Sequence, residues 1–283
     1  MKQLHIIKTL PIFCFLLCVL GCNTKQVSQA SHQYSIVSLS PSTTEIIAEC
    51  QKEDILVGRT EYCNYPTQIK SLESVASVKP HYEKIAAIKP SLIVFDNNLY
   101  NNSDKIKLTE LKIDIFPMTS QTLDDFVTTL KNLNRTTQGR VDTSSYIDRI
   151  DEALSNIHNF KKRVSAAIIL HRGRKGTYLI AGNKTLPGDI LYQLGVDLIG
   201  PNGRLFIEPK IEKLLVQNPE VIFTAQDPSL FYQDNRLKNL KAIVNRRVYR
   251  IDADILLRPG ARVDKLIKIF YNRLLDINGS RLS

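Results

Sequence analysis

Two segments with the same pattern, EKIAAIKP at residues 83–90 and EKLLVQNP at 212–219, constrain the fold more than any other feature of the chain. Each begins with Glu-Lys, continues with mostly apolar residues and ends with Pro. Each then runs into an apolar stretch, SLIVF at 91–95 or EVIFT at 220–224. A helix followed directly by a strand, occurring twice in the chain, predicts two lobes of related structure. A Glu in the first turn of a helix is also favoured by the helix dipole, so both glutamates could be purely structural.

Strands and helices alternate along both halves of the chain, which predicts an α/β fold with parallel sheets covered on both faces. In the first half the pattern predicts a β-rich run at 34–41, strands at 55–60, 91–95 and 113–117, and helices from Ser42, near 82–89, near 104–111 and near 122–134. In the second half it predicts strands at 164–170, 177–181, 220–224 and 247–251, and helices at 187–194, 209–217, near 234–242 and 260–276.

The stretch between the two halves has a different pattern. Its apolar residues recur at helical spacing, and no Pro or Gly occurs between Val141 and Lys162. This predicts one helix of about 20 residues, roughly 30 Å long. We therefore expect two Rossmann-like lobes with parallel sheets, joined by one long backbone helix. The expected boundaries are an N-terminal lobe at 35–139, the interlobe helix at 140–162 and a C-terminal lobe at 163–283.

The first 21 residues have the pattern of an export signal. Lys2 and Lys8 precede the apolar run LPIFCFLLCVLG, which is too short for a comfortable membrane span. The run ends at Gly21-Cys22, which resembles the lipobox of bacterial lipoproteins. The resemblance implies that residues 1–21 are removed, that Cys22 is lipidated and that 22–34 is a polar tether. We expect an extracytoplasmic protein anchored to the membrane by lipid, the alternative being an ordinary signal peptide with a chance Cys.

The basic charge of the chain does not indicate nucleic-acid binding. The full chain carries a net charge of +10, but the charges are scattered and the protein is expected outside the cytoplasm. We therefore expect no nucleic-acid partner. A basic protein on the outer face of a membrane suits an anionic lipid surface or an anionic ligand better.

Two cysteines, Cys50 and Cys63, remain after export and lipidation. A disulfide is the default in an oxidising compartment. The predicted helix that ends near Cys50 runs antiparallel to the strand at 55–60, so Cys63 is expected at the opposite end of the sheet. That strand spans roughly 20 Å, whereas a disulfide needs Cα atoms within about 7 Å. We therefore expect two free thiols.

Several segments together resemble a known family, the class III periplasmic binding proteins. These are the cobalamin, ferric-siderophore and haem receptors of ABC importers. The matching segments of the first lobe are IVSLSPSTTEII, VGRTEYCNYP and YEKIAAIKPSLIVF, and those of the second are IEKLLVQNPEVIF and VYRIDADILLRPGAR. The resemblance covers about residues 35–275 and implies that 35–283 form one binding domain of this type.

The resemblance also implies partners and a role for the repeated glutamates. In this family one acidic residue on each lobe meets arginines of the two permease subunits, and Glu83 and Glu212 match those positions. The expected partners are an ABC permease dimer with its ATPase subunits and a small-molecule ligand, and the receptor is expected to be monomeric. We expect neither catalytic residues nor a cofactor, because the sequence contains no GxSxG, HExxH, CxxC or P-loop motif.

Ligands of α/β lobes bind beyond the carboxyl ends of the strands, which places the expected site in the cleft between the lobes. Tyr62 and Phe206 match positions where cobalamin-binding relatives place aromatic side chains. The other candidate ligand-binding residues follow predicted strands or helices; they are Ser42, Glu61, His81, Arg172 and Arg258.

The sequence leaves the ligand open. Tyr62 and Phe206 favour cobalamin or a related corrinoid, but such relatives use Trp in this cleft and this chain has none. Arg172 and Arg258 favour an anionic ferric siderophore or haem, and His81 or Tyr62 could ligate haem iron. A free metal ion is a further alternative. From other classes, an exported enzyme or an adhesive lipoprotein stays possible, and either would tolerate loss of Glu83 or Glu212.

Overall fold

The computed structural model describes residues 33–155, 163–172, 177–209 and 211–279. The N-terminal lobe contains β1 Ile36–Ser38, α1 Pro41–Cys50, β2 Leu56–Thr60, β3 Glu73–Ala76, α2 Tyr82–Ile88, β4 Leu92–Asp96, α3 Asn102–Glu110, β5 Asp114–Met118 and α4 Leu123–Thr136. Helix α5, Ser144–Ser155, follows. The C-terminal lobe contains β6 Ser165–Arg172, β7 Tyr178–Ala181, α6 Leu186–Gln193, β8 Asp197–Leu198, β9 Phe206–Ile207, α7 Ile211–Gln217, β10 Val221–Thr224, α8 Ser229–Tyr232, α9 Lys241–Val244, β11 Val248–Arg250, α10 Ala253–Leu256 and α11 Val263–Gly279.

The sheet of the N-terminal lobe is parallel throughout, in the order β3-β2-β1-β4-β5. Its strands β1 and β4 are almost completely buried, as expected for strands covered by helices on both faces. The predicted α/β class with two lobes is confirmed. The short edge strand β3 was not predicted.

The sheet of the C-terminal lobe is mixed rather than parallel. Its order is β11-β10-β6-β7-β9, with β8 also paired to β6, and β7 runs antiparallel to both β6 and β9. The connection explains this difference from the prediction. Only five residues, 173–177, separate β6 from β7, whereas a parallel crossover needs a dozen or more. The chain between these strands is long enough only for a hairpin.

The two lobes share one strand order. The order β3-β2-β1-β4-β5 in the first lobe corresponds to β9-β7-β6-β10-β11 in the second. Helix α2 connects β3 to β4, and α7 connects the equivalent strands β9 and β10. Both helices have seven residues and end at a left-handed residue, Lys89 with φ of 51° and Asn218 with φ of 46°. The repeated segments therefore occupy equivalent places, as their shared pattern predicts.

The helix predicted at 140–162 begins later than expected. Helix α5 starts at Ser144, because Val141 forms a β-bridge with Gln51 and the Asp142 N–H donates to the Cys50 carbonyl at 2.8 Å. These backbone pairs hold residues 141–142 in an extended conformation. Residues 156–162, the second half of the predicted helix, lie outside the described part of the chain.

The first helix also begins at a different residue than predicted. Ser40 rather than Ser42 caps α1, accepting a hydrogen bond from the Thr43 N–H at 3.2 Å, and Pro41 occupies the first turn. Proline favours the first helical position because it has no N–H to satisfy there. In place of the single helix predicted near 234–242, the structure has a 3₁₀ turn at Asn235–Leu237 and the short α9.

One hydrophobic core cluster includes buried side chains from both lobes and from α5. Phe126 of α4 packs edge-on against Tyr146 of α5, and Phe223 of β10 packs against Phe270 of α11 at 4.7 Å between ring centroids. Cys50 and Cys63 are free, as predicted, and both are buried. Among the described residues, no helix combines the length and the apolar character needed to span a membrane.

Candidate ligand-binding cleft

A cavity of about 370 Å³ lies between the lobes, which is within the size range of small-molecule sites. Its N-terminal wall comes from the residues that follow β4 and β5, including Leu99 and Gln121. Its C-terminal wall comes from β9, the start of α6 and the segment 255–259. The carboxyl ends of β4 and β5 thus face the cavity, as the general rule for α/β folds predicts.

Four large apolar side chains are unusually exposed in this cavity. Leu99 is 58% exposed, Leu205 37%, Phe206 44% and Leu257 47%, and all four line the wall. Exposing apolar area to water is unfavourable, so a cluster of this kind indicates a binding surface. The cleft is therefore suited to a ligand with a broad apolar face.

Charged groups of both signs lie at the edges of this apolar wall. Asp96 ends β4 and lines the cavity. Burial raises the pKa of its carboxyl group, although the hydrogen bond that the carboxylate accepts from the Asn98 N–H at 2.9 Å lowers it in part. Lys184 lines the wall from the C-terminal lobe and is exposed. The cleft thus offers a hydrogen-bond acceptor on one lobe and a cation on the other.

Arg258 also lines the cavity, but its guanidinium already has partners. Nη2 lies 3.0 Å from Asp254 Oδ1, and Nη1 donates to Asn64 Oδ1 of the N-terminal lobe at 2.8 Å. Asn64 in turn donates to Asp254 Oδ2 at 2.9 Å. Arg258 therefore connects the two lobes as well as facing the cavity, and its charge is partly neutralised.

Of the residues predicted to bind ligand, Phe206 and Arg258 line the cavity. Glu61 and Tyr62 are exposed on the loop after β2, next to Asn64, where a hydrogen bond to Glu61 raises the pKa of the Tyr62 phenol. They are not part of the cavity wall.

The remaining predicted residues lie away from the wall. Ser42 is buried, with its hydroxyl 3.2 Å from that of Ser40 in a hydroxyl cluster at the start of α1. His81 is exposed just before α2. The side chain of Arg172 and the whole of Cys22 lie outside the described residues.

Most of the wall was not predicted from the sequence. Asp96, Leu99, Lys184, Leu205 and Leu257 all line the cavity. Asp96 directly ends a strand, so the carboxyl-end rule could have identified it. The leucines carry no comparable signal, because apolar residues are normally assigned to a core and their exposure depends on how the two lobes meet.

No His, Tyr, Cys or Met side chain is among the described residues that line the cavity. The described part of the chain also holds no group of three or more His, Cys, Asp or Glu side chains that could bind a metal ion. The described part of the wall offers apolar surface and hydrogen-bonding groups.

Glu83 and Glu212 occupy matching places outside the cavity. Each is exposed in the first turn of its helix, α2 or α7, two residues before a buried anchor, Ile85 or Leu214. The anchors fix the helices to their lobes, so that each carboxylate projects from an equivalent, well-supported position.

An α/β chain of two lobes around one apolar cleft, with the lobes held together by a shared core, defines a solute-binding protein. The chain belongs to the periplasmic binding protein family, whose pattern it matches over residues 36–255. Members of the family bind small ligands outside the cytoplasm and act with an ABC permease and its ATPase, so they carry a transported ligand rather than a catalytic cofactor.

Three similar proteins illustrate the range of the family. The vitamin B12-binding protein of Vibrio campbellii is 26% identical over 237 residues, covering 80% of this chain and 84% of that protein. The high-affinity heme uptake system protein of Staphylococcus aureus is 23% identical, covering 88% and 90%. A possible iron-binding, periplasmic solute-binding protein of Staphylococcus epidermidis has a solved structure that matches with a TM-score of 0.73 and 21% identity, covering 85% of this chain and 98% of that one.

Proposed function

We propose that the protein captures cobalamin or a related corrinoid in the interlobe cleft and delivers it to an ABC permease. The observation that carries this proposal is the exposed apolar wall formed by Phe206 with Leu99, Leu205 and Leu257. A corrin ring is broad and flat, so an aromatic face and leucines can cover it. Its amide-bearing edge can donate hydrogen bonds to Asp96.

The lack of metal-ligand side chains in the described wall supports a corrinoid over haem. Cobalamin brings its own ligands to the cobalt, whereas haem iron needs an axial ligand from the protein. The predicted iron ligands His81 and Tyr62 lie outside the wall. The similarity to a vitamin B12-binding protein is compatible with a corrinoid, and the similarity to a heme uptake protein is equally compatible with the second candidate.

A ferric siderophore or haem is the second candidate, and Lys184 is the observation that favours it. An exposed ammonium group in the wall can pair with an anionic ligand. Arg258 contributes less to such a pair, because Asp254 already neutralises part of its charge.

Under the same proposal, Glu83 and Glu212 contact the permease. Exposed carboxylates can form oriented, bidentate contacts with Arg, and such pairs set docking specificity more than affinity. Their equivalent positions on α2 and α7 suit a partner made of two similar subunits. Cys22 anchors the receptor to the membrane by lipid, and the receptor works as a monomer.

Titration of the chain from residue 23 onwards tests which ligand the protein binds. Cyanocobalamin, haemin and a panel of ferric siderophores are added in turn, and binding is followed by tyrosine fluorescence and by calorimetry. We expect sub-micromolar binding of cyanocobalamin and weaker binding of the iron complexes. Binding of iron complexes but not of cyanocobalamin would favour a ferric siderophore or haem as the ligand. Binding of neither cyanocobalamin nor any iron complex would rule out both candidates.

A further inference from the structure

A buried ion pair joins the two lobes directly. Glu45 belongs to α1 of the N-terminal lobe, and Arg262 lies just before α11 of the C-terminal lobe. Arg262 Nε donates to Glu45 Oε2 at 3.0 Å and Nη2 donates to Oε1 at 2.6 Å. The side chain of Glu45 is 1% exposed and that of Arg262 is 11% exposed. The pair is therefore bidentate and almost completely shielded from water.

The chain next to Arg262 is fitted closely around the Glu45 carboxylate. Gly260 approaches it so closely that a Cβ atom at residue 260 would overlap Oε2 and would lie 2.9 Å from Cδ. A side chain at this position would displace the Glu45 carboxylate or the segment at 260–263. The contact is thus sensitive to the distance between the lobes.

Two tyrosines hold the same segment in place. Tyr146 of α5 is completely buried; its hydroxyl donates to the Gly260 carbonyl at 2.6 Å and accepts from the Val263 N–H at 3.1 Å. The ring of Tyr65, on the loop after β2, faces the Arg262 guanidinium at 4.6 Å. The N-terminal lobe and α5 therefore contact residues 260–263 from several directions.

This segment continues directly from one wall of the ligand cavity. Residues 255–259 line the cavity, and the next residues, 260–263, make the contacts to Glu45 and Tyr146. At the other end of the segment 255–259, Asp254 accepts a hydrogen bond at 2.9 Å from Asn64 of the N-terminal lobe. The wall is thus fixed to the N-terminal lobe at both ends, although it belongs to the C-terminal lobe.

We infer that Glu45, Gly260 and Arg262 form an interlobe clasp that sets the width of the cleft before any ligand binds. A buried ion pair contributes little net stability, because desolvation offsets the attraction, but it defines geometry strictly when both partners are satisfied. Glu45 and Arg262 are in this sense positioning residues: they contact each other and not the cavity. The inference does not depend on the identity of the ligand.

The test measures the distance between the lobes in the ligand-free protein. Spin labels are placed through non-natural amino acids at positions 106 and 244, which are exposed on α3 and α9, and the full chain is studied in detergent. We expect a narrow distance distribution in the wild type. In Glu45→Gln the distribution should broaden roughly twofold, because Arg262 loses its charge partner and the lobes sample several angles.

Glu49→Gln is the matched control. Glu49 lies on the same helix and pairs with Arg149 of α5 at 3.0 Å, with the two side chains 40% and 37% exposed, and in this variant Arg149 keeps its second partner, Asp264 of α11, at 3.6 Å. This variant should keep the wild-type distribution, because an exposed pair constrains the lobes little. Broadening in both variants would mean that loss of any charge on α1 has this effect, and the clasp would be rejected.

The inference is also rejected if Glu45→Gln folds and keeps the narrow wild-type distribution. Folding of the variants is checked by thermal melting. Other interlobe contacts remain in them, such as the Leu123 N–H that donates to Asp189 at 2.8 Å. If Glu45→Gln does not fold, Gly260→Ala is tested instead: the added methyl group must displace the Glu45 carboxylate or the segment at 260–263 and so disrupt the clasp, and the interlobe distance distribution should broaden or shift. A folded Gly260→Ala with an unchanged distribution would overturn the proposal.

Discussion

Replacing Phe206 by Ala tests whether the apolar wall binds the ligand. Phe206 is 44% exposed in the cavity. A phenylalanine offers roughly 200 Å², so roughly 90 Å² of Phe206 is open for a ligand to cover. At about 25 cal/mol per Å², complete coverage contributes about 2 kcal/mol. We expect Phe206→Ala to weaken binding by up to about 30-fold, and by about 5-fold if the ligand covers half of the ring.

Calorimetric titration with cyanocobalamin, or with whichever tested ligand binds the wild type, measures this change. Tyr192→Ala is the matched control, because Tyr192 is 65% exposed on the same lobe but does not line the cleft. The control should bind like the wild type. If Phe206→Ala also binds within about twofold of the wild type, the exposed ring is not part of the site and the reasoning from exposed apolar area fails.

Three further predictions concern other parts of the molecule. Glu83→Ala/Glu212→Ala should abolish cellular uptake of the ligand but leave the affinity measured by calorimetry nearly unchanged. Burial raises the pKa of the Cys50 thiol to about 12, so maleimide labelling followed by mass spectrometry should show Cys50 unmodified near neutral pH until the protein unfolds. Hydrogen bonds from Arg236 and Tyr178 hold the pKa of Asp234 well below its usual range, so Asp234→Asn should lower the unfolding free energy at neutral pH by about 2 kcal/mol, measured with urea.

A different result would contradict each of these three predictions. Loss of ligand affinity in the double glutamate variant would remove both residues from the docking role. Rapid labelling of Cys50 in the folded protein would mean that α1 opens readily. The contribution of Asp234 should be present above about pH 4 and should disappear as the pH falls through its lowered pKa. An Asp234→Asn variant that is equally destabilised in strong acid would show that the loss is not electrostatic.

The sequence predicted the repeated architecture well because its signals are local. The segments at 83–90 and 212–219 each contain an apolar half-turn and a terminating Pro, and each is followed by a strand. The observed bounds of α2 and α7 agree with these segments to about one or two residues. Two of the errors also have local causes. Pro41 could have indicated that α1 starts before Ser42, and the short 173–177 connection could have indicated the antiparallel β7.

The site was less predictable because it depends on how the two lobes meet. The carboxyl-end rule identified the cleft, but it could not tell that Ser42 is buried among other hydroxyl groups or that Leu99 and Leu257 are exposed. Glu45 shows the same limit. Glu45 stands three residues after Ser42, which is the spacing of a local helix cap, whereas its carboxylate binds Arg262, 217 residues away in the sequence. Pairings at such separation leave no periodic signal in one sequence.

The shared strand order of the two lobes has a consequence for encounter with a two-fold permease. If both ends contact the permease as proposed, a two-fold permease offers two orientations related by a half-turn, and this statistical factor of two would favour association by about 0.4 kcal/mol. The ends are nevertheless distinguishable: four residues after Glu83 the exposed residue is Ala87, and four after Glu212 it is Val216. On a permease with exact two-fold symmetry the two proposed orientations would still be equal in energy, because the symmetry of the permease interconverts them, so this difference between the ends would not favour either one.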